Sequence, residues 1–448
     1  MVVAVGSVMA LPDDARAQQQ TAVHEEYEDV QMPPGFQVMV NELEGPVFAD
    51  AKGRTLYEWP HMGLRNGETG DIKGSKSQCS DVVSRETAGF QTPWPPGLLL
   101  PDLDTRPSCA KAWPPVLAPE NATPIGSWTI VPRTDGTKQW AFDGYPLYTS
   151  MLDKQPGDVN GGTKHALVGE GPAVRIPVGP PPVIPSQFAV VQTSTGRMLT
   201  TADGFAVYSL DGDRLDKSTC EGSCLASWEP VLAPQSAQPR GEWAITERSP
   251  GIRQWVFRSK PLYMRAYEKH YRVIHSLQGS DVPGWHNVYT LPAPSPPGEF
   301  TVQDALAGQV LADSRGRTIY IYRCGDDSID QLACDHPDTT QALRFVVCGH
   351  GDPERCLETF PPVLAAPDAK SDNYIWTTID IDPKTGHRAA PDQPGALHVW
   401  AYRDRPIYTY VGDEKPGDIK GNGWGEETGA RNGFKAFWLR DDFGGNAG

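Results

Sequence analysis

One phrase occurs three times in this chain: CAKAWPPVLAPE from Cys109, CLASWEPVLAPQ from Cys224 and CLETFPPVLAAP from Cys356. A match this long, three times over, marks a tandem repeat, and each copy must then build the same supersecondary unit. Upstream of each anchor stands a second shared phrase: VFADAKGRTLYEW from Val47, MLTTADGFAVYSL from Met198 and VLADSRGRTIYIY from Val310. Apolar residues flank an Asp/Gly turn in each, the signal of two short antiparallel strands. Downstream come SWTIVPRTDGTKQWAFDGYPLY from Ser127, EWAITERSPGIRQWVFRSKPLY from Glu242, and YIWTTIDID followed by HVWAYRDRPIY from His398. Their alternation favours half-buried strands.

The repeats therefore span 37–180, 185–295 and 296–445, behind a signal-like or disordered segment 1–36. Pro-rich joints at Val178–Phe188 and Leu291–Phe300 act as semi-rigid spacers. With 45 Gly and 43 Pro in 448 residues, long helices are hard to write. Each repeat is itself double, its two strand phrases ending in Tyr57 and Tyr148, Tyr208 and Tyr263, or Tyr320 and Tyr408. The expected fold is all-β with low helix content: three disulfide-tied repeats of two related half-units. The six half-units either close into a propeller-like ring or form beads packed against each other, which the stiff joints favour.

Several of these tyrosines carry an acid five residues on: Asp153 after Tyr148, Asp213 after Tyr208, Glu268 after Tyr263 and Asp413 after Tyr408. Met62 and Gly325 stand at that position after Tyr57 and Tyr320. The Y-x-[FWY]-x-x-D pattern, combined with C…C…WPP and G-x-P-L-Y, resembles the bacterial secreted-repeat proteins, also described as predicted lipoproteins, over nearly the whole mature chain. The resemblance implies an exported β-repeat and little chemistry.

The residues themselves allow several chemistries. On a strand the tyrosine and position +2 share a face and +5 falls in the next turn, so the motif reads as an aromatic ladder with a capped turn; the functional reading is a Tyr/Asp-lined binding face or electron path. The loops at Asp153…Asp158 and Asp413…Asp418 read as Pro-Gly-Asp turns, with an oxygen-rich calcium site as the alternative. Eight cysteines fall two, two and four among the repeats, which in an exported chain means one disulfide per repeat plus one more. Cys79–Cys109 and Cys220–Cys224 are the expected bonds, and Cys356 takes Cys324, Cys334 or Cys348. The competing reading of the third repeat is a zinc or copper site of Cys334, His336, Cys348 and His350. No C-x-x-C-H is present, which excludes covalent c-type haem, and no Walker, G-x-S-x-G or H-E-x-x-H motif occurs. His270–His275 suits a surface loop, and most of the tryptophans, at repeated positions, suit a core.

A formal charge of −16 repels nucleic acid and anionic membrane surfaces. The apolar run Met1–Leu11 followed by Ala15-Arg16-Ala17-Gln18 has the shape of a secretory signal without its basic start. No cysteine follows it for lipid attachment, and no later stretch has membrane-spanning length. The leading expectation is a periplasmic or secreted, non-catalytic binding or scaffold subunit of an envelope assembly, with another envelope protein or a redox protein as partner and no resident cofactor. The alternatives are a metal-dependent redox protein or enzyme with its site in the third repeat, whose loops Asp326–Cys356 and Asp380–Pro394 the others lack, and a carbohydrate-binding protein.

Overall fold

The computed structural model describes residues 24–60, 62–64, 67–77, 79–82, 107–162, 175–193, 195–266, 268, 282–306, 308–323, 336–338, 349, 352–424 and 433–439. The signal-like residues before 24, His270–His275, Cys324, Cys334, Cys348 and His350 lie outside them.

The regular structure of the described residues is chiefly short antiparallel strand. The α-helices Cys109–Ala112 and Pro353–Thr359 and the 3-10 turn Gly222–Ala226 each contain an anchor cysteine. No helix among the described residues is long and apolar enough to cross a membrane. Each repeat opens with one hairpin: Gln37–Asn41 with Gly45–Ala49, Phe188–Thr193 with Gly196–Thr201, or Thr301–Ala305 with Gly308–Ala312. A second follows the anchor: Trp128–Pro132 with Lys138–Phe142, Trp243–Ser249 with Ile252–Phe257, or Trp376–Ile381 with Leu397–Tyr402. It turns back through Asp143–Gly144, Arg258–Ser259 or Arg403–Asp404, all at positive φ, the backbone that two-residue hairpin turns require. A closing strand, Ile176–Pro177, Trp285–Asn287 or Gly433–Ala436, then pairs with the first tyrosine's strand.

Strand alternation sorts the apolar residues into two main cores per repeat, to which the third repeat adds a small cluster of Ile379, Ile381, Val399 and Ala401. In the first repeat Phe48, Leu56 and Leu147 join Trp128 and Trp140 on one side, while their neighbours Val47, Tyr57 and Tyr148 join Cys79, Cys109 and Trp113 on the other. The second repeat divides Leu199, Val207 and Leu262 from Met198, Tyr208 and Tyr263 in the same way. The third divides Leu311, Ile319 and Ile407 from Val310, Tyr320 and Tyr408.

The packing of the first repeat takes in residues before Gln37. Phe36, placed with the N-terminal segment by sequence, packs on Trp128 and Trp140 as Phe188 packs on Trp243 and Trp255, and as Phe300 packs on Trp376 and Trp400. Each phenylalanine closes a turn on a proline three residues earlier, Pro33, Pro185 or Pro297. The "PPGF" that read as tail is thus the first core turn. Further upstream, Glu25 is buried in an ion pair with Arg197 of the second repeat, its Oε1 accepting from Nη2 at 2.8 Å.

Among the described residues every sheet draws its strands from one repeat, and the repeats meet at the turn between the first two strands. Leu43, fully buried, enters the third repeat's core. Its carbonyl accepts from Gln192 of the second repeat at 3.0 Å, and Glu44 faces Arg403 of the third at 3.3 Å. Arg403 also donates to the Val159 carbonyl at 2.7 Å.

Candidate functional site

The motif tyrosines are the centre of each repeat. Tyr57 lies opposite Tyr148 and Tyr320 opposite Tyr408, each pair exchanging two backbone hydrogen bonds at 2.7–2.9 Å, and Tyr208 pairs with Tyr263. All six are essentially inaccessible. The sister half-units are therefore stitched together at the tyrosines.

The hydroxyls cross that seam. Tyr57 donates to Asp153 at 2.8 Å, Tyr208 to Glu268 at 2.6 Å and Tyr320 to Asp413 at 2.7 Å, in each case the acid five residues after the opposite tyrosine. Tyr263 returns the bond to Asp213, five residues after Tyr208, at 2.5 Å. The +5 acid thus fastens the partner half-unit. Tyr57 has Met62 at +5, and the structure supplies the missing carboxylate from Asp71, fully buried and bonded to Tyr148 at 2.5 Å. Sequence reading missed Asp71 because spacing was its only guide. A serine two residues before the first disulfide cysteine completes the arrangement: Ser77 meets Tyr148 and Ser218 meets Tyr263, both at 2.6 Å.

Burial and the neighbouring carboxylates push the Tyr57, Tyr148 and Tyr320 phenols far above their ordinary range, and burial raises Tyr263 too. They stay protonated donors and offer no phenolate at neutral pH. Asp153 is pushed up to about 7 by burial, against the opposing pull of hydrogen bonds from Asn160 and Tyr57. A carboxyl poised near neutrality is often a sign of catalysis. Here one oxygen takes Tyr57 and the other takes the Asn160 N–H at 2.8 Å, and the residue is 8% exposed.

The Pro-Gly-Asp loops are docking pieces. Asp158 Oδ2 accepts from the Lys154 and Gln155 amides, and Asp418 Oδ2 from those of Glu414 and Lys415. Their carbonyls take the hydroxyls of Thr55 and Thr318 from the opening hairpin at 2.7 and 2.6 Å. Gly53 admits Pro156 so closely that a Cβ there would lie 2.6 Å from the ring. Among the described residues no group of three or more His, Cys, Asp or Glu side chains is placed to hold a metal.

Cys79 is bonded to Cys109 and Cys220 to Cys224, with Cα separations of 5.1 and 5.3 Å. Cys356 is also disulfide-bonded, and its partner lies outside the described residues. His336 is buried and held neutral, its pKa lowered to about 2 by burial and then by Arg405, Arg388 and Lys154. Its Nδ1 accepts from the Asp338 amide at 3.2 Å.

Four residues past each anchor cysteine an aromatic ring meets the closing strand. Trp228 stacks on Trp285 at 3.6 Å and Phe360 on Phe434 at 3.7 Å. In the first repeat the corresponding position is Arg175, whose guanidinium lies 4.4 Å from the centroid of Trp113 and 4.2 Å from that of Trp59. A cation held between two desolvated indoles is strongly attracted, so the side chain is locked into the core.

A family model described as a secreted repeat of unknown function matches residues 129–167, 189–232 and 397–428. The first and third segments are second half-units and the middle one is a first half-unit. Each contains a tyrosine with its +5 acid: Tyr148 and Asp153, Tyr208 and Asp213, Tyr408 and Asp413. No curated protein and no solved structure matches the chain.

Proposed function

We propose that this chain is an exported, non-catalytic repeat protein that holds a partner in the cell envelope, its tyrosine–acid motifs serving as internal fastening. The observation that carries the reading is the crossed bonding: five motif hydroxyls, those of Tyr57, Tyr148, Tyr208, Tyr263 and Tyr320, each reach a carboxylate inside a core. A reaction centre must present its groups to substrate; these are turned to each other. Export is supported by the likeness to a secreted repeat and by the signal-like start.

The outside of the repeats offers a repeated contact. Leu117, Leu232 and Leu364 hold the same place in the three anchors and are 56, 59 and 64% exposed. The flanking valines and alanines bond inward to the second hairpin. A partner that meets the same leucine on each repeat binds through several weak contacts that reinforce one another. The test is in-cell crosslinking of the wild type and of the variant carrying Leu117→Ser, Leu232→Ser and Leu364→Ser. A partner captured by the wild type and lost by the folded triple variant is the expected outcome. Stoichiometric metal or a chromophore in protein purified from its host would instead favour a redox centre in the third repeat.

A further inference from the structure

The three anchor cysteines hold one place in the repeat, but they differ in access. Cys109 is 1% exposed in the helix Cys109–Ala112, and Arg175 donates to its Sγ at 3.5 Å. Cys356 is also 1% exposed, with the Gly349 backbone laid against it: a Cβ added at Gly349 would lie 3.0 Å from the Cys356 Cβ. Cys224 sits instead in the 3-10 turn Gly222–Ala226, which has no buried residue. It is half-buried itself, and residues 221–223 and 225–227 on either side are exposed.

Its disulfide partner Cys220 is fully buried in the core that holds Trp228 and Trp285. The bond therefore joins an enclosed cysteine to one at the surface. Thiol–disulfide exchange needs a thiolate to reach a sulfur, so access decides which bond opens and at which end. Charge does not separate this bond from Cys79–Cys109: Arg248 donates to the Cys220 carbonyl as Arg133 does to that of Cys79. A cation so placed favours the thiolate of its neighbour in both. Loop length does separate them, at 4 residues against 30. A bond that closes so short a loop restrains the unfolded chain less, and the fold depends on it less.

We infer that Cys220–Cys224 is a thiol–disulfide exchange site that takes two electrons from an exported protein dithiol. One thiolate of the dithiol bonds to Cys224 Sγ, the Cys220–Cys224 bond breaks, and Cys220 leaves as a thiolate next to Arg248. The partner's second thiolate then bonds to its own first sulfur and releases Cys224. The partner ends as a disulfide, and the two protons it gave up end on Cys220 and Cys224. Leu225, 38% exposed beside Cys224, offers the incoming protein an apolar contact. Cys79–Cys109 and the bond of Cys356 stay closed and keep their cores tied. The site goes beyond the scaffold reading and stands or fails independently of it.

The test uses the unmodified full chain, folded, with reduced thioredoxin as the probe dithiol. Thiols are trapped with iodoacetamide over time and mapped by mass spectrometry, while tryptophan fluorescence follows the fold. The expected result is paired labelling of Cys220 and Cys224 at least about tenfold faster than that of Cys79 and Cys109, with the fluorescence unchanged. A thioredoxin whose second cysteine is replaced by serine stops at the first step, and it is expected to stay joined to Cys224. Opening of Cys79–Cys109 at an equal or greater rate, a mixed disulfide on Cys220, or no labelling of Cys220 and Cys224 before the fluorescence reports unfolding would overturn the inference.

Discussion

The first two repeats and the third solve the same packing problem with opposite chemistry. In the first, Arg133 donates to Gln139 at 2.7 Å and to the Cys79 carbonyl at 3.2 Å, and Gln139 donates to the Leu147 carbonyl. In the second, Arg248 donates to Gln254 at 3.0 Å and to the Cys220 carbonyl, and Gln254 donates to Leu262. The arginine stands five residues after the first tryptophan of the hairpin and the glutamine just before the second. In the third repeat those places hold Ile381 and Val399, buried with Ile379 and Ala401. A fully paired polar relay and an apolar cluster are thus interchangeable in one frame, provided both members change together.

That comparison can be broken most severely from the apolar side. Ile381→Arg places an unpaired charge in the third repeat's cluster and should cost more than about 4 kcal/mol, seen as loss of the folded baseline in denaturant. A pH titration contrasts the first and third repeats next. Asp153 is pushed up to about 7 by burial, above an unfolded value of about 3.9. The unfolded chain therefore loses this proton first. The protective term is complete below pH 4 and is lost as pH rises toward 7, by up to about 4 kcal/mol. Glu58, also pushed up to about 7 by burial and Asp143, acts in the same direction. Asp153→Asn should flatten the melting temperature across that window. Asp413→Asn should do so less, since Asp413 is raised for the same reason but is less enclosed.

Changing one partner of the polar relay comes next. Arg133→Ile should destabilise by about 3 kcal/mol, because Gln139 and the Cys79 carbonyl lose a buried donor. Adding Gln139→Val, the third repeat's pair, should restore more than half of that loss by chemical denaturation. The smallest effect belongs to the exposed leucines: each Leu→Ser in the anchors should change stability by less than about 0.5 kcal/mol, so that lost partner capture reports the surface alone.

Much of this was legible in sequence. The anchor phrase, the paired hairpins and the six tyrosines mark the repeat and its doubling, because strand period and turn chemistry are local. The bonding between half-units was not legible. Tyr57 and Asp153 are 96 residues apart, and the +5 spacing suggests a turn cap where the fold makes a crossed fastening. Asp71 carries no spacing signal at all, and the rise of Asp153 toward neutrality follows from enclosure that only packing creates. Phe36 could have been found by aligning "PPGF" with "PSQF" and "PGEF". The exchange of arginine and glutamine for Ile381 and Val399 was also open to alignment, at the fifth residue after the tryptophan.

The central claim is that the tyrosine–acid motif holds half-units together. Its most direct test is a double-mutant cycle on Tyr320→Phe and Asp413→Ala, partners at 2.7 Å, by equilibrium unfolding of the full chain. The account expects each single change to destabilise, and a coupling of about 1–2 kcal/mol between them. Single changes that leave stability unaltered, or losses that simply add with no coupling, would contradict it.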